Sequence, residues 1–217
     1  MDFNLILDSL PFLLRGAWIT VQITFFALIL GIILGTFVAL ARMSQQRWLS
    51  SLTYGYIELI RGTPLLVQIF LIFFGIPQLT QQPINEFVAG VLAFGINSSA
   101  YVSEILRAGI QSISTGQREA ARSLGLSVLQ TLRFIILPQA FRRVLPPLVN
   151  ESISLLKNSS LLSAIAVVEL TRAGQLVSSR TFRPFEMYLA VSVIYLIITL
   201  VLSVIARRLE RRWQVAQ

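Results

Sequence analysis

The chain alternates between long uncharged stretches and shorter segments that are rich in arginine. The uncharged stretches cover residues 16–41, 62–85, 87–103 and 187–206. A helix over the first of them would be about 39 Å long at about 1.5 Å per residue, which exceeds a hydrocarbon core of about 30 Å. The pattern therefore predicts helices that cross a membrane.

The second and third stretches carry residues that disturb a simple membrane helix. In the second, we expect the helix to begin before Arg61 and to end near Pro77. In the third, Asn97 and Ser98 lie in the middle of the span. They could hydrogen-bond a substrate, or they could simply let neighbouring helices pack closely, and the sequence leaves both interpretations open.

A further apolar segment, residues 145–170, contains Glu151, Lys157 and Glu169. It can cross the membrane only if these residues face protein or a water-filled cavity, because a charge in lipid is costly. With this segment we count about five spans. Asn158 and the two serines after it predict a break in the helix, and transporters commonly bind substrate at such breaks.

The composition supports a membrane protein. The chain is 55% hydrophobic and 13% charged, with a mean hydropathy of +0.73, whereas soluble domains are about 25% charged. It has no cysteine and no histidine, which removes thiol nucleophiles and the commonest general base. We find no catalytic constellation, so we expect a single all-α integral membrane domain over residues 1–217 that is not an enzyme.

The basic residues predict the orientation. They follow the first, third and last predicted spans, whereas residues 76–85 between the second and third spans contain none. The positive-inside rule then places the N-terminus outside and the C-terminus, with its basic tail at 207–212, in the cytoplasm. The loop with Arg172, Arg180 and Arg183 disagrees. The net charge of +8 indicates orientation and contact with anionic lipid, and no nucleic acid partner is expected.

Residues 115–138, between the third and fourth predicted spans, form the most informative segment. Thr115 and Gly116 are expected to end the third helix, and residues 117–124 to form a short helix with Glu119 in its first turn. Gly125 is expected to cap that helix in the left-handed conformation. The segment therefore predicts a water-facing helix in a chain that is otherwise apolar.

A second amphipathic piece follows at residues 126–136, and Pro138 is expected to end it and to return the chain to the membrane. Ala120 and Ala121 keep the short helix thin, which favours its insertion into a groove on another protein. An interfacial helix that covers lipid headgroups explains the same pattern. The residues alone leave these two interpretations equal.

A resemblance to a known family decides between them. Glu119-Ala-Ala, Gly125, Ile135, Leu137 and Pro138 resemble, in identity and spacing, the signature loop of permease subunits of bacterial ATP-binding-cassette importers. From about residue 9 to residue 208 the chain is similar to the polar amino acid permeases, which take up histidine, arginine, glutamine, glutamate and related compounds. The other stretches that carry the resemblance are ELIRGTPL at 58–65, AYVSEILRAGI at 100–110, LPQA at 137–140 and LLKNSSL at 155–161.

The resemblance implies a coupling helix that sits in a cleft of a cytoplasmic ATPase subunit and transmits its movement to the spans. Glu119, Ala120, Ala121 and Gly125 would form this contact. Two ATPase subunits would bind ATP and Mg²⁺, because this chain has no phosphate-binding loop and binds no cofactor itself. The other implied partners are a second permease subunit, identical or related, an extracytoplasmic amino-acid-binding protein, and the lipid of the bacterial inner membrane.

Substrate contacts are expected at polar residues within the membrane, namely Lys157, Asn97, Ser98, Glu151 and Asn158. Lys157 would attract the carboxylate of an amino acid, or alternatively pair with Glu151 or Glu169, or extend to the outer surface. Glu151 would recognise a cationic side chain, or alternatively pair with Arg142 or Arg143 nearer the cytoplasm.

The sequence therefore predicts the permease subunit of an importer that moves polar amino acids into the cytoplasm by alternating access. Separate ATPase subunits would drive it. The alternative is a stand-alone secondary transporter or channel for small polar solutes, which would take up its solute without ATP.

Overall fold

A computed structural model describes residues 3–213, with side chains for residues 3–208, and every regular element in that range is a helix. The α-helices are α1 (Phe3–Arg42), α2 (Arg47–Gly62), α3 (Leu65–Thr80), α4 (Glu86–Gln111), α5 (Thr115–Ser123), α6 (Val128–Thr131), α7 (Leu137–Asn158), α8 (Leu170–Thr181) and α9 (Pro184–Trp213). A π-helical turn (Leu132–Ile136) joins α6 to α7, and a 3-10 helix (Ser159–Ile165) follows α7. The predicted all-α class is confirmed. In the predicted basic tail, the side chains from residue 209 onward lie outside the described part of the chain.

Three of the described helices are long and apolar enough to cross a membrane, namely α1, α4 and residues Pro184–Arg208 of α9. Two bent pairs pass the same criteria when each is taken as one span. The α2–α3 pair is bent by 103°, and the segment Val128–Ile165 is bent by 48° from α8. The count is therefore three to five by length and composition, and about five spans stays a prediction.

Small residues allow α1 and α4 to pack closely. A Cβ atom on Gly31 would lie 2.8 Å from the Cβ of Ser98, and one on Gly35 would lie 2.8 Å from the Cβ of Val102. Close approach through small residues is the usual way in which membrane helices associate. Because both contacts advance in the same direction along the two helices, α1 and α4 are parallel and end on the same side of the bundle.

The main core lies where α1, α3, α4 and the 3-10 helix meet. Its largest fully buried side chain is Phe94 of α4, which packs with Ile23 of α1, Ile69 of α3 and Leu162 of the 3-10 helix. A second cluster joins α1 to α8 and α9 through residues such as Leu13, Leu170 and Val191. The exposed side chains of α1 and α9 are mostly large and apolar, as lipid contact requires.

The expectation that the second helix begins before Arg61 is wrong. α2 ends at Gly62, and α3 begins at Leu65, directly after Pro64. Proline lacks the backbone N–H that would continue α2, and it disfavours the α conformation in the residue before it. Thr63 is accordingly extended, with φ of −113° and ψ of 146°. The chain breaks at this point and changes direction.

The expectation that Pro138 ends a helix is also wrong. The π-helical turn runs directly into α7, and Pro138 lies in the first turn of α7. A missing N–H costs little there, because the first N–H groups of an α-helix have no intrahelical acceptor. The predicted break near Asn158 is confirmed, because α7 ends at that residue and the 3-10 helix begins at Ser159.

Glu169 is a fully buried residue that ties α8 to its neighbours. Its carboxylate accepts hydrogen bonds from the backbone N–H groups of Thr171 and Arg172 at 2.9 and 2.7 Å, which cap α8. The Tyr195 hydroxyl of α9 donates to the same carboxylate at 2.8 Å. Both oxygens of the Glu169 carboxylate therefore accept hydrogen bonds. Among the described side chains, no ion pair joins Glu169 to Lys157.

Candidate functional site

The coupling loop, residues 115–138, begins with α5. The expectation that Thr115 and Gly116 end the preceding helix is wrong, because α4 already ends at Gln111 and both residues belong to α5. Ser112 has helical backbone angles and its N–H bonds to the Ala108 carbonyl, so the chain leaves α4 through a short turn. The earlier start of α5 places Glu119 in its second turn, where the helix dipole acts weakly.

The end of α5 is formed by Gly125, as predicted. Gly125 has a φ of +74°, in the left-handed region that favours glycine. Its N–H donates to the Arg122 carbonyl at 2.9 Å, and the Leu126 N–H donates to the Ala121 carbonyl at 3.0 Å. These two bonds form a Schellman motif, which satisfies carbonyls at the end of the helix and sets the direction of the next segment.

The two faces of α5 differ. Glu119 and Ala120 are exposed, whereas Ala121 is 3% exposed. Ala121 therefore packs against its own chain, and its part in the predicted coupling contact stays a prediction. Helical periodicity makes one of two adjacent alanines face inward, and the sequence did not indicate which one. The outward face is thus formed by Glu119 and Ala120.

A small apolar cluster lies next to α5, where the turn before it meets the start of α7. Ile113, Ile136 and Ala140 are buried together at this end of the bundle. The side-chain amide of Gln139 donates to the Ile135 carbonyl at 2.9 Å and to Gln117 of α5 at 3.4 Å. The Gln139–Gln117 bond therefore joins α5 to α7 directly.

Asn97 of α4 is 7% exposed and lies beside the break between α2 and α3. Its Nδ2 donates to the Oε1 of Gln68 at 2.9 Å. The Nε2 of Gln68 in turn donates to the Ile60 carbonyl at 2.7 Å and to the Thr63 hydroxyl at 2.8 Å. Gln68 therefore satisfies backbone and side-chain groups that the break leaves without helical partners, and Asn97 holds Gln68 in place.

Ser98 is fully buried at the contact between α4 and α1. Its hydroxyl faces the Glu151 carboxyl of α7 without the geometry of a regular hydrogen bond. This position agrees with the close-packing interpretation of the sequence. No ion pair joins Glu151 to Arg142 or Arg143 among the described side chains.

Lys157 and Asn158 lie on an exposed stripe of α7. From Arg143 through Pro147, Asn150 and Ser154 to Lys157, the exposed residues on this face follow one another at intervals of three or four positions, and Asn158 lies four positions after Ser154. Such spacing places them on one side of the helix. Lys157 has no ion-pair partner within the described part of the chain. A polar stripe at membrane depth is stable only against protein or water.

A cleft of about 540 Å³ separates α2, α4 and α7 between Glu151 and the coupling loop. Glu104 and Arg107 form an ion pair of 2.6 Å beside it, and the Arg61 guanidinium stacks over the Tyr101 ring at 5.3 Å. The cleft therefore has charged walls on the side of the coupling loop and one carboxyl, Glu151, at its far end.

Gln68 is the residue that sequence reasoning missed. The available signal was the proline at position 64, because a helix break inside an apolar segment leaves carbonyls that need a nearby donor. A single glutamine four residues after that proline is the natural candidate for this donor.

Within the described residues, an all-helical bundle of apolar helices with two broken segments is typical of a membrane transport subunit. The sequence profile of the family "Binding-protein-dependent transport system inner membrane component" matches residues 27–215, and the chain belongs to this family. It is accordingly a multi-pass protein of the bacterial inner membrane. The family resemblance predicted from the sequence is confirmed.

Several curated relatives match along almost their whole length. The glutamine transport system permease protein GlnP of Escherichia coli (strain K12) is 44% identical over 215 residues, covering 99% of this chain and 98% of the relative. The nopaline transport system permease protein NocM of Agrobacterium fabrum is 42% identical, covering 94% and 88%. The arginine transport system permease protein ArtQ of Bacillus subtilis is 37% identical, covering 98% and 97%.

Two solved structures have the same fold. A crystal structure of an amino acid ABC transporter with histidines superposes with a TM-score of 0.92 at 43% identity, covering 98% of this chain and 99% of that chain. An inward-facing MetNI methionine ABC transporter superposes with a TM-score of 0.81 at 19% identity, covering 95% and 98%. The second match shows the fold alone.

Proposed function

We propose that this chain is the permease subunit of an ATP-binding-cassette importer for polar amino acids. The observation that carries the proposal is the match, over nearly the full length of both chains, to the amino acid ABC transporter structure at 43% identity. Relatives named for glutamine, nopaline and arginine transport support the same class of substrate.

The proposed orientation has five spans, the N-terminus outside and the C-terminus in the cytoplasm. The parallel packing of α1 and α4 supports it, because the arginines that follow these two helices then lie on one side of the bundle. The coupling loop, which follows α4, lies on that same basic side. The arginines of α8 and of the turn after it lie on the opposite side and remain the exception.

The proposed coupling contact is the outward face of α5. Glu119 and Ala120 would touch the ATPase subunit, Ala121 would hold α5 against its own chain, and Gly125 would set the shape of the loop. ATP and Mg²⁺ would be bound by the ATPase subunits, and this chain would supply no cofactor site. Closure of the ATPases would then pull on α5, and the contacts of Gln139 would pass the movement to α7.

The proposed substrate pathway follows the polar stripe of α7. This stripe cannot face lipid, so a second permease subunit, identical or related, would cover it and enclose a cavity. Lys157 would attract a substrate carboxylate, and Asn158 beside it would donate or accept a hydrogen bond. Glu151 would attract a cationic group. Asn97 and Ser98, which are buried, would shape the wall rather than reach far into the cavity.

The remaining proposed partners are an extracytoplasmic amino-acid-binding protein on the side of α8 and the lipid that surrounds α1 and α9. The test is to purify the chain with the proteins that accompany it, to reconstitute the complex in liposomes, and to measure ATP hydrolysis with each amino acid inside or outside. We expect a polar amino acid to stimulate ATP hydrolysis and to be taken up into the liposomes only when ATP is present.

Two outcomes would contradict the proposal. Solute uptake by this chain alone without ATP would show a secondary transporter or channel. A copurified ATPase whose rate responds to no amino acid would leave the transporter class intact but would exclude the proposed substrates.

A further inference from the structure

A groove between α5 and the helices that follow it contains two arginines that the coupling contact described above does not use. Its volume is about 240 Å³, and it is lined by Arg118, Arg122, Val128, Thr131, Leu132 and Ile136. It lies beside the outward face of α5, on the flank that adjoins the inward-facing Ala121.

Arg118 and Arg122 are four positions apart, so they project from the same side of α5. Both are exposed, and neither forms an ion pair with another described side chain. Two unpaired guanidinium groups on one side of a groove attract an anionic group, and guanidinium geometry suits the two oxygens of a carboxylate.

Thr131 contributes a second, independent observation. It is 7% exposed, and its hydroxyl has no hydrogen-bond partner among the described residues. Helical threonines elsewhere in the chain, such as Thr36, Thr53 and Thr80, donate to the carbonyl four positions earlier. Thr131 makes no such bond, so its hydroxyl is a buried donor without a partner, in a residue that lines the groove.

Exposed apolar side chains also occur in the chain segment that contains the groove, and Val128 lines the groove itself. Leu124 is 80% exposed, Val128 77% and Leu129 73%. Large apolar side chains around arginines are typical of the centre of a protein–protein interface.

We propose that this groove is a socket for one carboxylate side chain of the partner ATPase subunit. The inference rests on the proposed function. Arg118 and Arg122 donate charge-assisted hydrogen bonds to the carboxylate, the Thr131 hydroxyl donates a third, and Val128 and Leu132 exclude water from the site. The socket therefore gives the ATPase a second point of attachment, beside the outward face of α5.

The experiment measures the affinity of the ATPase that copurifies with the chain for the chain in lipid nanodiscs. The double variant R118Q/R122Q removes both charges, and we expect its affinity for the ATPase to fall about tenfold or more. The reason is that loss of a single hydrogen bond to a charged group typically lowers an affinity by more than about tenfold. The affinity of the wild-type chain is expected to fall with rising salt, and that of the variant to depend less on salt.

Matched variants separate the socket from general effects. R47Q/R142Q removes two exposed arginines that do not line the groove, and it should bind the ATPase like the wild-type chain. T131V removes only the hydroxyl and should weaken binding, whereas T131S, which keeps it, should not. With R118E/R122E, replacement of one ATPase Asp or Glu by Arg should restore binding, which also identifies the partner carboxylate.

Each result decides one question. If no ATPase copurifies with the wild-type chain, the proposed function fails. If the ATPase binds the wild-type chain and R118Q/R122Q equally, only the socket is overturned. If R118Q/R122Q differs from the wild-type chain in phosphatidylglycerol nanodiscs but not in phosphatidylcholine nanodiscs, the groove binds a lipid headgroup and the proposal is likewise overturned.

Discussion

At Gly125 and Gln68, single residues set the backbone geometry that the proposed mechanism needs. Gly125 adopts a φ of +74°, which lets α5 end abruptly before α6. Gln68 bonds to Ile60, Thr63 and Asn97, so that the break between α2 and α3 is stable inside the bundle. At Gly125 the missing side chain permits the left-handed backbone that ends α5. At Gln68 the side chain supplies the hydrogen bonds that the broken helix lacks.

Substitution of Gly125 by alanine should loosen the coupling loop. A Cβ atom would meet nothing within 4 Å, so the cost comes from the left-handed backbone, at about 1–2 kcal/mol. We expect substrate-stimulated ATP hydrolysis to fall about fivefold or more while the membrane helices stay folded. G116A is the control, because Gly116 lies within α5, also in open space, and alanine favours a helix. Equal loss in both variants would contradict a specific role for the cap.

Substitution of Gln68 by leucine should destabilise the membrane bundle. The change leaves the Ile60 carbonyl and the Asn97 amide buried without partners, at about 1–3 kcal/mol each. We expect the thermal unfolding midpoint in nanodiscs to fall by about 5–10 °C. Q78L makes the same chemical change at an exposed position of the same helix and should leave the midpoint unchanged or higher. A similar midpoint for Q68L and the wild-type chain would show that the network is dispensable.

At the scale of elements, α7 differs from the other long helices. The exposed side chains of α1 and α9 are mostly apolar, whereas one face of α7 carries an exposed polar stripe that includes Asn150, Ser154 and Lys157. Helix α7 is also the element to which α5 is attached, through Gln139. In the proposed mechanism the same helix would therefore receive the movement of the coupling loop and present polar groups to the substrate pathway.

Cysteine accessibility tests whether the stripe faces water in the assembled transporter. The chain has no native cysteine, so single cysteines can be introduced without a background. We expect S154C to react with a water-soluble maleimide in liposomes, and more slowly when substrate is present. L200C, on the exposed apolar side of α9, should not react, because thiolates do not form in lipid. Equal labelling of the two positions would exclude a cavity along α7.

At the scale of the whole molecule, one chain exposes surfaces that we expect partner subunits to cover. Its exposed polar stripe on α7 needs a cover, its coupling loop projects from one side of the bundle, and a charged cleft of about 540 Å³ opens between α2, α4 and α7. The stripe and the cleft share Arg143 and Pro147, whereas the coupling loop is a separate surface, and we expect all of them to be covered together in an assembly of several subunits.

Native mass spectrometry of the purified complex should show two permease chains with two ATPase subunits. Each permease of this sequence contributes 24.3 kDa, and a related permease in place of one copy would be visible as a second mass. The reason is that one subunit cannot enclose the stripe of α7 by itself. A complex with a single permease chain that still hydrolyses ATP in response to substrate would contradict the two-subunit cavity.

The local patterns of the chain predicted several features well. Uncharged stretches indicated the apolar helices, Gly125 indicated the left-handed cap, and the polar run after Lys157 indicated the end of α7. The spacing from Glu119 to Pro138 indicated the family. Each of these depends on neighbours within a few positions along the chain, and such neighbours are visible in the sequence.

The sequence by itself thus determined the membrane environment, the helical class and the family. Only the tertiary structure decided that Ala121 faces inward, that Asn97 bonds to Gln68, that Glu169 accepts a bond from Tyr195, and that Pro138 lies in the first turn of α7. The physical reason is that hydrophobicity and cap residues act locally. A buried polar side chain instead finds its partner on another helix, and the chain shows that partner only after it has folded.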